Sequence, residues 1–100
     1  MNDPSMHSTL HLQAPLNHPC YAGHFPGNPV VPGVLLLELV VEALGRGVPR
    51  AVGSVKFHRV VKPGESFKLR VQTAGAKSTF RCLRGPDLLA DGILEFGPAT

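Results

Sequence analysis

One stretch of the sequence organises the rest: His24-Phe25-Pro26-Gly27-Asn28-Pro29-Val30-Val31-Pro32-Gly33-Val34-Leu35-Leu36-Leu37-Glu38. Its first ten residues hold three prolines and two glycines, which are residues typical of rigid turns. The apolar residues that follow predict a helix over Val34–Leu44, and the nearby glycines and a proline after it are stop signals. Because apolar residues fall on every face, the pattern predicts a helix that is buried on most of its circumference.

The rest of the chain predicts a sheet that covers this helix. Alternating apolar and polar residues indicate strands, which we place at Thr9–Ala14, Ala51–Val61, Ser66–Thr73, Lys77–Leu83 and Leu88–Phe96. We expect the last four strands to form an antiparallel meander, with a possible bulge at Gly92. The predicted fold class is α+β, an antiparallel sheet wrapped around one central buried helix.

Length and charge restrict the possible function. One hundred residues fit a single domain over residues 1–100, with a flexible N-terminus at residues 1–8. The net charge of +3 is dispersed along the chain, whereas a nucleic-acid interface would be denser and more one-sided. The charge suits an acidic protein partner, and it fits ordinary solvated strand faces equally well.

The cysteines and histidines indicate neither a disulfide framework nor a metal site. Cys20 and Cys82 follow no motif spacing, which fits the reducing cytoplasm. His18 and His58 have no acid or cysteine at ligand spacing. The longest apolar run is interrupted by acids and is far shorter than the roughly 20 residues that span a bilayer. These features predict a cytoplasmic protein without a metal.

Three residues of the opening stretch are candidates for chemistry. His24 can act as a base near neutral pH, although a lone loop histidine is usually just solvated. Glu38 lies in an apolar helix, where burial would favour the protonated, proton-donating form. The alternative is that Glu38 faces solvent together with Glu42, four residues further on. Gly33 could offer a free helix amide to an oxyanion, or it could be a simple turn glycine.

The stretch resembles a known motif, His-Phe-Pro-Gly-x-Pro-x-x-Pro-Gly-Val-Leu followed by an acid, found in hot-dog fold β-hydroxyacyl-carrier-protein dehydratases of the FabA/FabZ kind. Here the motif runs from His24 to Leu35, with Glu38 in the acid position. The segments Val55-Lys56-Phe57 and Val61-Lys62-Pro63-Gly64-Glu65 resemble the strand and turn that follow the helix in that family. A His-Arg-Tyr-Pro-Phe-like signature of the longer members is absent, so the chain is more similar to the short subgroup of aryl polyene pathways.

The resemblance implies a hot-dog fold and a cofactor-free dehydration of 3-hydroxyacyl thioesters, carried by an acyl carrier protein, to trans-2-enoyl thioesters. It implies catalytic roles for His24 and Glu38 and an oxyanion-binding role for Gly33, in a site shared between two subunits. The assembly would be a homodimer, a higher homo-oligomer or a hetero-oligomer with another hot-dog protein. Two alternatives stay open: a hot-dog thioesterase and a non-catalytic subunit of a heteromeric dehydratase.

Overall fold

The computed structural model describes residues 6–21 and 30–97. The elements follow in the order β1 (Met6–Gln13), a 3-10 turn (Pro19–Tyr21), α1 (Gly33–Leu44), β2 (Ala51–Val52), β3 (Lys56–Phe57), β4 (Ser66–Ala74), β5 (Lys77–Arg84) and β6 (Asp87–Glu95). Among these residues, no helix is long and apolar enough to cross a membrane. The predicted antiparallel sheet with one α-helix is confirmed.

The core lies between α1 and one face of the sheet. On β4 the side chains alternate between exposed and buried, and Phe67, Leu69 and Val71 point inward as predicted. Phe80 and Cys82 of β5 are also buried, on one face of the strand. The helix contributes three buried residues to the same cluster: Leu35, Leu36 and Val40. Burying this apolar surface is the main driving force that holds helix and sheet together.

The bounds of α1 agree closely with the prediction. The helix begins at Gly33, one residue early, and ends at Leu44. Gly45 adopts the left-handed conformation at φ 66° and donates its N–H to the Glu42 carbonyl at 3.2 Å. A left-handed residue is strained for side chains other than glycine, so Gly45 ends the helix as the sequence indicated.

The prediction that α1 is buried on most of its circumference is wrong for this chain. The face that carries the buried leucines packs on the sheet, but Val34 is 72% exposed. Glu38 and Glu42 are exposed as well. A single sheet covers only one side of a helix, and the other apolar side is left open.

The predicted strand Ala51–Val61 is also wrong as a continuous element. Two short strands, β2 and β3, both pair antiparallel with β6, and residues 53–55 interrupt them. Between the two pairings this segment has one residue more than the opposite part of β6, which is the signature of a bulge. Phe57 of β3 is 50% exposed.

The order of the strands differs from the predicted meander of four. Only β4, β5 and β6 follow one another as neighbours, in the sheet order β1-β4-β5-β6-β2 with β3 also on β6. Thus β2 and β3 lie at the edge beyond β6 instead of beside β4. The connection across the sheet is a long-range feature that local sequence patterns do not encode.

Two smaller predictions about the strands also need correction. Gly92 is not a bulge, because it pairs in register with Phe80; the irregularity lies at Leu89, between the pairs Cys82–Ala90 and Leu83–Leu88. A Cβ on Gly92 would stand 2.9 Å from the Phe80 ring, so close packing explains this glycine. At the other end β1 begins at Met6, so residues 6–8 belong to a strand, and residues 1–5 of the predicted flexible N-terminus lie outside the described residues.

Candidate active site

His24, the predicted base, lies outside the described residues, as does the whole segment 22–29. The role of His24 therefore stays a prediction. From Val30 onward the structure describes the rest of the motif, including Gly33 and Glu38. These two residues provide the geometry from which the candidate site is built.

The chain enters α1 through a fixed connection. Val31 donates its N–H to the Val61 carbonyl at 2.6 Å, which ties the entry to the segment after β3. Pro32 is the N-cap, with extended backbone at φ −61° and ψ 147°, and Gly33 is the first helical residue. A proline at the entry restricts the backbone, so the position of the helix N-terminus is well determined.

The N-terminus of α1 carries amide donors that have no partner within the helix. Leu36 donates its N–H to Pro32 at 3.1 Å, and the amides of Gly33 and its next two neighbours precede the first intrahelical hydrogen bond. The N-cap side chain makes no hydrogen bond, and the first turn carries no acidic residue. No side chain of the N-cap or the first turn therefore neutralises the positive end of the helix dipole. An oxyanion-binding role for these amides would require this.

Gly33 also has a packing reason to be glycine. A Cβ at this position would lie 2.9 Å from Cε2 of Phe57, closer than side-chain atoms normally approach. The ring of Phe57 therefore covers the start of α1. Gly33 and Phe57 line a groove of ≈ 270 Å³ together with His58 and Val61.

Glu38 lies on the open face of α1, away from that groove. It lines a second, larger groove of ≈ 710 Å³, with Val34, Leu37 and Val41 from the same helix and the Gly47–Pro49 segment opposite. Glu42 lines the same groove and is exposed too. The expected dry setting for Glu38 is therefore wrong for the single chain, and the alternative of two exposed acids on one face describes it correctly.

One chain does not bring the candidate residues together. Gly33 and Glu38 are five positions apart on a helix, about 7.5 Å along its axis, and they point to different sides. Each lines its own groove. The described residues of this chain therefore do not bring Gly33 and Glu38 into one groove.

Exposed apolar side chains lie beside the groove of Glu38 and on the edge strands. Val34 and Val48, the latter 89% exposed, flank the groove of Glu38. Val52 and Phe57 of the edge strands and Val60 after them are at least half exposed. Large exposed apolar side chains that lie beside a groove are candidates for an interaction surface.

Sequence reasoning missed one pair of titratable residues. Nε2 of His58 and Oδ2 of Asp91 lie 2.6 Å apart, and both side chains are about one-third exposed. The two residues are 33 positions apart, so spacing along the chain gave no sign of the contact. The pairing of β3 with β6 creates it, because Asp91 lies directly opposite Lys56.

Cys82 is buried in the core, and the described residues form no metal-binding cluster. Burial raises the pKa of the Cys82 thiol to about 12, so it is an inert core residue. Among residues 6–21 and 30–97, no group of three or more histidines, cysteines or acids could hold a metal ion.

Comparison with known proteins identifies the family. A family model described as ApeI-like, ApeI dehydratase, matches residues 1–92. The chain belongs to the ApeI-like dehydratase family. A protein named 3-hydroxyacyl-acyl-carrier-protein dehydratase FabZ, from Legionella pneumophila (strain Corby), is 33% identical over 93 residues, and the match covers 78% of this chain and 62% of that protein. A protein of the same name from Chlamydia trachomatis serovar L2 is 32% identical over 100 residues, with 81% and 65% covered. The chain thus spans less than two thirds of the length of these relatives.

Solved structures establish the fold of this ApeI-like family member. The dehydratase heterocomplex ApeI:P from Xenorhabdus doucetiae superposes with a TM-score of 0.75 at 22% identity, over 89% of this chain and 85% of that one. A protein from Erwinia carotovora subsp. atroseptica gives 0.74 at 24% identity, over 98% and 88%. The antiparallel sheet with one helix is therefore the hot-dog fold, as the sequence predicted.

Proposed function

We propose that this ApeI-like protein dehydrates 3-hydroxyacyl thioesters, carried by an acyl carrier protein, to trans-2-enoyl thioesters. The observation that carries the proposal is the position of Glu38, a carboxyl group of α1 in a groove whose other lining residues, apart from Glu42, are apolar residues and glycines. The family, and the names of the FabZ relatives, support the same reaction. The pathway would be fatty-acid or aryl polyene biosynthesis.

Each candidate residue has a role in this reaction. His24 removes a proton from C2 as the general base, and the carbon–oxygen bond at C3 breaks. Glu38 donates a proton to the departing hydroxyl, so that water leaves and a C2–C3 double bond forms. The N–H of Gly33 binds the thioester oxygen, where negative charge develops in the transition state. No external cofactor is needed to balance these steps.

A second hot-dog subunit would complete the site. The open face of α1 and the edge strands β2 and β3 expose apolar side chains, and a second copy of this chain is a natural cover for them. Once covered, Glu38 would lie in the water-excluded setting that a proton donor to the substrate requires. The helix of one subunit would then supply Glu38, and the loop of the other would supply His24. A homodimer is the simplest such assembly; the Xenorhabdus doucetiae structure, described as a heterocomplex, supports a hetero-oligomer as the alternative.

A mass-spectrometric assay tests the reaction. The purified protein is incubated with a 3-hydroxyacyl carrier-protein thioester, and we expect the acyl group to lose the mass of one water. Release of the free carrier thiol would instead indicate a hot-dog thioesterase that uses Glu38 with a water. An unchanged substrate, both for the protein by itself and after addition of a second hot-dog subunit, would contradict catalysis.

The remaining parts of the proposal concern location and extent. We place the reaction in the cytoplasm, because a reducing compartment would keep thiols such as that of Cys82 free and would contain acyl carrier protein substrates. We also propose that residues 1–100 form one domain, because β1 and β6, near the two ends, belong to the same sheet.

A further inference from the structure

The face of the sheet opposite α1 carries an unusual pair of charges. Arg70 of β4 and Arg81 of β5 lie directly opposite each other in the register, and both are exposed. On the other side of Arg70, the register places Thr9 of β1. Like charges directly across two strands destabilise a sheet, so a pair of this kind needs a compensating interaction.

The three strands that carry or flank this pair supply no acid of their own. Strands β1, β4 and β5 contain no aspartate or glutamate at any position. Asp91 of β6 lies opposite Arg81, but its carboxylate contacts His58 at 2.6 Å. Within residues 6–21 and 30–97, neither Arg70 nor Arg81 forms an ion pair. The two guanidinium groups therefore have their donors available to a ligand.

The surroundings of the pair have the chemistry of an anion site. Arg70 and Arg81 line a depression of ≈ 230 Å³, together with polar side chains from all three strands, including His7, Thr9, Gln72 and Thr79. Guanidinium groups donate two parallel hydrogen bonds to an oxyanion, and hydroxyl and amide groups can add more. A small depression with several donors fits a compact tetrahedral anion better than the broad surface of an acidic protein.

We propose that this depression, the Arg70–Arg81 site, binds the phosphate group of a small phosphate-bearing molecule. The site lies on the sheet face that points away from α1, so the sheet separates it from the grooves of Gly33 and Glu38. The proposal therefore does not depend on the proposed dehydration. Occupation of the site would remove the repulsion between the two arginines and stabilise the fold by mass action.

Titration with inorganic phosphate and pyrophosphate, monitored by backbone-amide NMR, tests this site at constant ionic strength set with sodium chloride. We expect saturable shifts confined to residues 7–9, 70–72 and 79–81. Arg70→Gln and Arg81→Gln should each weaken binding about tenfold or more, since each removes a charge-assisted hydrogen-bonding fork. Phosphate should also raise the melting temperature of the wild-type protein but not of these two variants.

Lys77→Gln is the matched control, because Lys77 is an exposed cation on β5 that does not line the depression. We expect it to bind phosphate as tightly as the wild-type protein. Shifts that do not saturate, that sodium chloride reproduces, or that persist in both arginine variants would overturn the site. Vesicles of phosphatidylglycerol and phosphatidylcholine form a separate arm: arginine-dependent binding to the anionic vesicles without binding of soluble phosphate would overturn the small-molecule ligand.

Discussion

The ring of Phe57 lies against the first residue of α1, so close that a Cβ on Gly33 would stand 2.9 Å from its Cε2 atom. This contact links edge strand β3 to the helix N-terminus whose amides are proposed to bind the thioester oxygen. It also means that the glycine has two separable roles. Its small size serves the packing, and its N–H would serve the chemistry.

The first prediction separates these two roles of Gly33. Gly33→Ala should lower the free energy of unfolding by about 1–2 kcal/mol, because the added methyl group overpacks the contact with Phe57. In a Phe57→Ala background the same substitution should be neutral or slightly stabilising, since alanine is the better helix former. Urea denaturation of the four proteins in this double-mutant cycle measures the coupling. Equal costs of Gly33→Ala in both backgrounds would contradict the contact.

The second prediction concerns the two acids of the larger groove. Glu38→Gln should reduce turnover of a 3-hydroxyacyl carrier-protein thioester by about 10²–10⁴-fold, the usual contribution of a general acid. Glu42→Gln is the matched control on the same groove and should stay within about twofold of the wild-type rate. Similar losses in both variants would argue against a specific role for Glu38.

The third prediction concerns His24 and the shared site. His24→Ala should abolish dehydration while the far-ultraviolet circular dichroism stays that of the wild-type protein. If the site is shared, refolding His24→Ala together with Glu38→Gln should restore about a quarter of the activity, because about half of the dimers are mixed and each mixed dimer carries one intact site out of two. Unaltered turnover in His24→Ala would refute its role as the base, and a mixture that stays inactive would refute the shared site.

The fourth prediction concerns Arg46, which fastens the end of α1 to the turn between β4 and β5. Its guanidinium donates to Oγ of the fully buried Ser78 at 3.0 Å and to the Gly75 carbonyl at 3.0 Å, and it lies 4.8 Å from the centre of the Phe96 ring. Arg46→Ala should cost about 1–3 kcal/mol of unfolding free energy. Arg50→Ala, at an exposed arginine nearby, is the control and should be close to neutral. Equal free energies of unfolding for both variants, measured by urea denaturation, would contradict a stabilising role for the Arg46 contacts.

The fifth prediction follows from the buried thiol of Cys82. Its pKa is raised from 9.0 to about 12 by desolvation, so the folded protein prefers the neutral form. The stability from this group is fully present below pH 9 and is lost as the pH rises towards 12. Between these values, unfolding free energy should fall by up to about 1.4 kcal/mol per pH unit from this group. Cys82→Ala should be less stable than the wild-type protein at pH 7, but its unfolding free energy should fall less steeply between pH 9 and pH 12. Denaturant unfolding at several pH values measures this difference.

Local patterns predicted much of the fold because local periodicity reports one-sided burial directly. The alternation in β4 identified Phe67 and Leu69 as core residues, and the glycines after Leu44 marked the end of the helix. The errors came from contacts between distant parts of the chain. Nothing near Ala51 or Phe57 indicates that this segment pairs with β6. The apolar residues on every side of the helix likewise do not reveal that the sheet leaves one side of it exposed.

The candidate site was predictable only in part, for a related reason. The motif indicated Glu38 and Gly33, but the sequence gives no measure of how many subunits are needed to enclose them. The pair of His58 with Asp91, and the opposition of Arg70 to Arg81, both depend on strand register. Register becomes visible only when the strands are placed beside each other, so these two features required the structure.

The extra residue at Leu89 affects how β6 would tolerate changes in its length. Because the strand has one extra residue there, the side chains of Leu89 and Ala90 are both buried. The positions that face the core are odd-numbered up to Leu89 and even-numbered from Ala90 onward. A deletion elsewhere in the second half of β6 would reverse the phase and exchange the buried Leu94 for the exposed Ile93. Removal of Leu89 would sacrifice one core side chain but would keep that phase, so evolution or design can shorten β6 at this position while its hydrophobic face stays inside.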